Sequence, residues 1–177
     1  MHRLFVAIRP PERVRDLLVD AMDDSPALRW VPDDNLHLTL RFVGEVERPL
    51  ADDIAHALQR VRSDPFELRI DGVGRFDQRN GGAVWAGVKP KEPVATLAAK
   101  VDRACVAAGI EPERRLFHPH ITLARFGRSA KSEVDPFVRR NAALASEQFE
   151  VGSFTLFESR LSRHGAHYEV VADFPLG

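Results

Sequence analysis

Two eight-residue stretches of the 177-residue sequence are nearly the same. Residues 37–44 read HLTLRFVG and residues 120–127 read HITLARFG. In each, a Thr follows the first His by two positions, a spacing that places both side chains on one face of a β-strand, roughly 6 to 7 Å apart. If the two strands lie side by side, two imidazoles and two hydroxyls meet at one concave spot. The residues concerned are His37, Thr39, His120 and Thr122.

A pair of imidazoles can supply an acid and a base at the same time, because the unperturbed pKa of His is ~6.5. In-line displacement at phosphorus needs both. A base takes a proton from the attacking oxygen while an acid protonates the leaving oxygen on the opposite side. We expect the hydroxyls of Thr39 and Thr122 to hold the nonbridging phosphate oxygens. One His-x-Thr alone is weak evidence, since both residues are ordinary on strands, and the recurrence is what favours catalysis.

The elements around the two copies recur in the same order. Hydrophobic periodicity predicts β-α-β-α-β-β over residues 3–89, and the same order without its first strand over residues 92–174. The sequence therefore predicts one α+β domain over residues 1–177, built as a duplication. Two equivalent strands would lie about a pseudo-twofold axis, each presenting its His and Thr to the groove between two intertwined lobes.

Strict alternation makes specific predictions for the first copy. The segment 36–43 is expected to form a strand that ends at Gly44, with its Leu residues and Phe42 on one face and His37, Thr39 and Arg41 on the other. The same rule places Arg125 on the face away from His120, so a phosphate-binding role for Arg125 requires a β-bulge or a strand end. Three aromatic residues suit either base stacking or the core. They are Phe5, Phe42 and Tyr168.

Composition excludes several classes of protein. With 25 Lys and Arg against 26 Asp and Glu, the chain lacks the basic excess of a protein that coats nucleic acid nonspecifically. No apolar run approaches the ~20 residues of a membrane span, and Arg9, Pro10 and Pro11 interrupt any signal-peptide pattern. We therefore expect a cytoplasmic location. Cys105, the single cysteine, has the pattern of a buried helix face.

Cofactor chemistry is not indicated by any motif. No GxxxxGK[ST] loop is present, and residues 79–84 (RNGGAV) read only as a turn. His118 and His120 are separated by Pro119, and no Asp or Glu lies within either motif to complete a metal site. We expect neither a cofactor nor a metal.

The chain resembles the 2H phosphoesterases, and within them the RNA 2′,3′-cyclic phosphodiesterases, also called 2′-5′ RNA ligases. The resemblance runs nearly from end to end, through four segments: LFVAIRP (4–10), WVPDDNLHLTLRFVG (30–44), FHPHITLARF (117–126) and LSRHGAHYEVVADFPL (161–176). It implies a bilobal fold of two antiparallel sheets, with outer helices, around a central cleft. It also implies metal-independent hydrolysis of 2′,3′-cyclic phosphates on RNA ends or nucleotides.

Carried over to this sequence, the resemblance implies that His37 is the proton donor to the leaving 3′ oxygen and that His120 is the proton acceptor that activates water. It implies phosphate-binding roles for Thr39 and Thr122, and Arg125 follows the second motif as it does in the family. No membrane and no obligate protein partner are implied. Two alternatives remain open, namely reversible 2′-5′ ligation of RNA at the same site and noncatalytic binding of RNA ends.

Overall fold

The protein consists of nine β-strands and four α-helices. The computed structural model describes residues 1–177. The strands are β1 (His2–Ile8), β2 (Arg29–Trp30), β3 (Leu38–Val46), β4 (Phe66–Gln78), β5 (Gly81–Lys89), β6 (His120–Gly127), β7 (Phe149–Val151), β8 (Ser153–Ser162) and β9 (Gly165–Pro175). The helices are α1 (Glu12–Ala21), α2 (Arg48–Leu58), α3 (Lys91–Ala108) and α4 (Asp135–Arg140).

The strands form two antiparallel half-sheets that meet at one residue pair. Eight of them follow the order β7-β4-β5-β6-β3-β1-β8-β9, and the short β2 pairs with β6. Within each half the strands share long ladders, but β3 and β6 pair only at Leu38 and Ile121. The predicted α+β fold of two antiparallel sheets is confirmed, with the sheets joined at their centre.

The half-sheets exchange strands between the two predicted repeats. The half that contains β3 and β1 is completed by β8 and β9 from the end of the chain, and the half that contains β6 is completed by β4 and β5 from its first part. The description of the molecule as two intertwined lobes stays a prediction. The exact repeat boundaries, residues 3–89 and 92–174, remain a prediction.

The helices α2 and α3 cover one face of the central strands. On α3 the apolar residues Val94, Leu97, Val101 and Cys105 are fully buried, at the three- and four-residue spacing of one helix face. The helix ends at Gly109, whose φ of 117° favours glycine, as the sequence predicted. Cys105 is therefore a core residue.

None of the helices combines the length and hydropathy that crossing a membrane requires.

Three predicted boundaries are wrong, each for a local reason. Gly44 does not end β3, because the strand continues to pair with β1 as far as Val46. The spacing of apolar residues over 134–147 predicts a helix, but α4 covers only Asp135–Arg140, since residues 144–146 run extended and bond to the backbone of β4. The pattern of residues 149–161 predicts one strand, but the chain is divided there at Gly152 into β7 and β8, which pair in different half-sheets.

Candidate active site

The pair Leu38–Ile121 sets the register of the two motifs. Both side chains are buried, at 1% exposure each, so the neighbouring His and Thr residues project from the opposite face. Continued by one residue in each direction, the antiparallel register places Thr39 opposite His120 and His37 opposite Thr122. The two His residues are then diagonal neighbours, a relationship that separates Cα atoms by roughly 7 to 8 Å. The structure brings the four predicted side chains to one place.

The two imidazoles are held in the same way. Nδ1–H of His37 donates to the carbonyl oxygen of Asn35 at 2.7 Å, and Nδ1–H of His120 donates to the carbonyl oxygen of His118 at 2.6 Å. Because a carbonyl can only accept, each ring is fixed with its proton on Nδ1. Neither Nε2 bonds to another group of the chain, so each can accept or deliver a proton in the cleft.

The electrostatics of the cleft favour neutral imidazoles. Burial is the largest cause that lowers the pKa of His37, with the positive charges of Arg125 and His120 acting in the same direction. Burial likewise lowers the pKa of His120, together with the charges of His118 and Arg125. The hydrogen bond to the backbone carbonyl opposes these effects in both residues. The effect of His120 on the pKa of His37 agrees with their diagonal placement.

Each imidazole is also packed among aromatic rings. The ring of His37 lies 4.9 Å from the centroid of Phe5 and 5.4 Å from that of Tyr168. The ring of His120 lies 5.0 Å from Phe76 and 6.2 Å from Trp85. These contacts and the backbone hydrogen bonds together fix the orientation of both rings.

Sequence reasoning missed the residues around His120. Phe76 lies on β4 and Trp85 lies on β5. The sequence pattern there predicts two strands and gives no indication that these aromatic residues contact His120. His118 packs on Phe76, Trp85 and His120, with ring centroids 4.8 to 5.5 Å apart. The only available signal was that His118 stands two positions before the second motif.

Two cavities adjoin the imidazoles. A cavity of about 250 Å³ is lined by His37 together with Phe5, Arg125 and Tyr168, and a cavity of about 320 Å³ is lined by His120 together with Phe76, Arg115 and His118. Thr39 and Phe42 line both. Thr122 is half-buried and lines neither cavity, so the two threonines are not equivalent.

Irregular pairing changes the predicted faces of three residues. In β6 the register with β5 shifts at Leu123, so that Leu123 and Ala124 are both buried and Arg125 turns toward the cavity beside His37. This is the bulge that a phosphate-binding role for Arg125 required. In β3 the pairing with β1 also shifts, and Arg41 is buried while Phe42 faces the cleft. The predicted faces of both Arg41 and Phe42 are therefore wrong.

The aromatic candidates divide according to burial. Phe5 is only 4% exposed and supports the ring of His37, whereas Phe42 is 40% exposed at the junction of the two cavities. Tyr168 packs edge-on against both Phe5 and His37. His, Cys, Asp and Glu side chains form no group of three or more arranged to hold a metal ion.

Comparison with known proteins identifies the family. The model of the 2′-5′ RNA ligase superfamily matches residues 9–163. An RNA 2′,3′-cyclic phosphodiesterase of Thermus thermophilus is 37% identical, over 98% of this chain and 90% of that protein. One of Geobacillus stearothermophilus is 32% identical over 89% of this chain, which spans only half, 50%, of that protein's length.

Solved structures agree with the sequence comparison. The crystal structure of Escherichia coli LigT in its apo form has a TM-score of 0.81 and 30% identity, covering 99% of this chain and 97% of that one. LigT has also been crystallised in complex with 3′-AMP, in a structure with a TM-score of 0.78. The match of sequence, fold and paired motifs makes this chain a member of the 2′-5′ RNA ligase superfamily.

Proposed function

We propose that the protein is an RNA 2′,3′-cyclic phosphodiesterase, with His37 as the proton donor and His120 as the proton acceptor. The observation that carries this proposal is the identical hydrogen bonding of the two imidazoles, which leaves Nε2 of each free at one cleft. The RNA 2′,3′-cyclic phosphodiesterases among its relatives support the substrate class, RNA ends or nucleotides that carry a cyclic phosphate.

Hydrolysis needs one proton accepted and one delivered. Nε2 of His120 takes a proton from a water molecule as the water oxygen attacks phosphorus. On the opposite side the bond from phosphorus to the 3′ oxygen breaks, and Nε2–H of His37 gives its proton to that oxygen. The product carries a 2′-phosphate and a free 3′-hydroxyl. His37 is left neutral and His120 protonated, and exchange with solvent restores the starting states.

Charge and hydrogen-bond donors hold the phosphate in this scheme. Arg125 supplies a guanidinium close enough to lower the pKa of both imidazoles, and it lines the same cavity as His37 and Thr39. The hydroxyls of Thr39 and Thr122 donate to nonbridging oxygens. No metal, cofactor or obligate protein partner takes part. The cytoplasmic location expected from the sequence belongs to the same proposal.

The test uses an RNA oligomer with a 2′,3′-cyclic phosphate end in the presence of excess EDTA. We expect the wild-type protein to yield a 2′-phosphate end, and His37→Ala and His120→Ala each to lose roughly 10²- to 10⁴-fold in rate. His56→Ala is the matched control, because His56 is exposed on α2 and far in sequence from both motifs. No turnover by the wild type, or full activity in both motif variants, contradicts the proposal.

Reversible 2′-5′ ligation is the second candidate. A cavity lies on each side of the catalytic pair, one beside His37 and one beside His120, and both contain aromatic side chains. A cyclic phosphate end and a nucleoside with a free 5′-hydroxyl would occupy the two cavities together. The 5′-hydroxyl then takes the place of water, with His120 as base and His37 as acid, and the two roles exchange only in the reverse cleavage of the 2′-5′ linkage. Formation of a 2′-5′-linked product from two RNA fragments supports this reaction. Noncatalytic binding of RNA ends is excluded if either reaction is observed.

A further inference from the structure

A groove between α2 and α3 concentrates positive charge away from the catalytic cleft. Its volume is about 430 Å³, and four of its eight lining residues are cations. No Asp or Glu lines it. The four cations, which define the basic groove, are Arg60, Arg62, Lys100 and Arg103.

The charge of the basic groove is not neutralised within the protein. None of its four cations takes part in the ion pairs of the structure, which involve other Arg and Lys residues. Arg62 donates to the carbonyl oxygen of Gln59 at 2.8 Å and Lys100 donates to that of Arg62 at 2.8 Å, contacts that leave both charges in place. Asp64 lines the neighbouring cavity with Arg62 and Lys100 without pairing to either. Because the net charge of the whole chain is −1, the four cations form a local excess of positive charge.

The part of the basic groove between its cations is apolar. Its remaining lining residues are three alanines and Val61, whose short side chains leave the backbones of α2 and α3 close to the surface. Three of the four cations are arginines, and a guanidinium matches the geometry of a phosphate with two parallel hydrogen bonds. A slender chain with regularly spaced phosphates fits this combination of charge and shape.

The basic groove is connected to the cleft through one loop. Its α3 side extends from Lys100 to Ala107, about 10 Å along the helix axis. The loop that follows α3 carries Arg115, Leu116 and Phe117, which line the cavity beside His120. Asp102, which lies on α3 between Lys100 and Arg103, bonds to Arg41 and to the backbone of Glu113, two residues that line the same cavity. An RNA chain that leaves this cavity across the outer side of α3 therefore approaches the basic groove.

We propose that the basic groove binds the phosphodiester backbone of the same RNA whose cyclic phosphate end is processed in the cleft, several nucleotides from that end. This inference rests on the proposed function. It predicts that a longer RNA binds through two separate sites, whereas a cyclic mononucleotide occupies the cleft alone.

The test compares two substrates, a dodecamer RNA with a 2′,3′-cyclic phosphate end and a cyclic mononucleotide. The groove variant carries Arg60→Ala, Arg62→Ala and Arg103→Ala. We expect the ratio of KM for the dodecamer to KM for the mononucleotide to rise about 10-fold. Because each phosphate contact to a single strand contributes ~0.7 to the slope of log affinity against log salt, we also expect that slope to decrease by about 2 for the dodecamer.

A control variant with the same change of charge carries Arg48→Ala, Arg69→Ala and Arg139→Ala, three exposed residues outside the basic groove and outside every ion pair. Equal effects of the two variants on the KM ratio, or no effect of the groove variant, overturn the inference in favour of general charge attraction or of a different occupant such as an acidic protein. Absence of mononucleotide turnover by the wild type contradicts the proposed function instead. The groove is then tested by the fluorescence anisotropy of the labelled dodecamer, with the same comparison of variants.

Discussion

Leu38 of β3 pairs with Ile121 of β6, and this single antiparallel pair places the two copies of the repeated motif side by side. The pairing brings each His next to the Thr of the other copy. It does not make the copies equal, because the sixth position is Phe42 in the first copy and Arg125 in the second. Both of these side chains line the cavity beside His37, so the cleft receives one cation from its second copy and an aromatic ring from its first.

The first prediction concerns the pH dependence of hydrolysis. The proposed reaction requires protonated His37 and neutral His120. Burial and the charge of Arg125 lower the pKa of both. The acid form of His37 is therefore lost at a pH below the ordinary pKa of ~6.5, and the base form of His120 is already present there. We expect kcat/KM for a cyclic mononucleotide, measured from about pH 4 to about pH 9, to be bell-shaped with its maximum below ~6.5.

The variant Arg125→Gln tests whether the charge of Arg125 sets the pH at which kcat/KM is highest. Removing the positive charge raises the pKa of both His residues, so the maximum should move to higher pH while the rate falls. Arg128→Gln, three residues further along and exposed, should leave the maximum where it is. A wild-type maximum above ~6.5, or an equal shift in both variants, contradicts the electrostatic account.

The second prediction separates the two threonines. Thr39 lines both cavities and lies opposite His120, whereas Thr122 lines neither. A hydrogen bond to a charged group contributes ~1.5 to 3 kcal/mol, so Thr39→Ala should lower kcat/KM roughly 10- to 100-fold, and Thr122→Ala should lower it less. Thr39→Ser retains the hydroxyl and should recover most of the loss. Steady-state kinetics on the cyclic mononucleotide measures all three, and a larger loss from Thr122→Ala would reverse the assignment.

That His and Thr share a face in each copy was predictable, because residues two apart on a strand point the same way. The register that brings the two copies together was not, since it is set by the pair Leu38–Ile121 in the folded sheet. The faces of Arg41, Phe42 and Arg125 were not, because they depend on bulges. The position of a bulge is determined by how a strand pairs with its neighbours, so the alternation of residues within one strand does not predict it. The aromatic residues around His120 come from β4 and β5, so their contacts depend on tertiary pairing. The basic groove depends in the same way on the packing of α2 against α3.

The third prediction concerns the stability of the strand that carries His37. Arg41 is 7% exposed; its Nε donates to Asp102 on α3 at 2.7 Å, and its remaining nitrogens donate to the carbonyl oxygens of Phe42 and Glu111. Asp102→Ala removes the nearer of two carboxylates from this buried guanidinium and leaves only Glu113, 3.9 Å from Nη1. We expect a loss of about 3 kcal/mol in the free energy of unfolding, measured by urea denaturation.

Two further variants check this reasoning. Asp102→Asn keeps an acceptor oxygen and should cost less than Asp102→Ala. Asp52→Ala, at an exposed position of α2 without a side-chain partner, should change the free energy of unfolding by less than about 0.5 kcal/mol. If Asp102→Ala were as stable as the wild type, the pair with Arg41 would contribute nothing to holding α3 against β3.

The last prediction assigns the acid and the base, which the near-symmetry of the cleft makes the least obvious feature. If His37 protonates the leaving 3′ oxygen, a substrate with sulfur in place of that bridging oxygen removes the need for an acid, because a thiolate leaves without a proton. The rate loss in His37→Ala should then shrink at least 10-fold on the sulfur substrate, since general acid catalysis accounts for roughly 10²- to 10⁴-fold on the oxygen substrate. His120→Ala should remain equally impaired on both substrates, because water still has to be deprotonated. The opposite pattern, with His120→Ala rescued, would exchange the two roles while leaving the reaction unchanged.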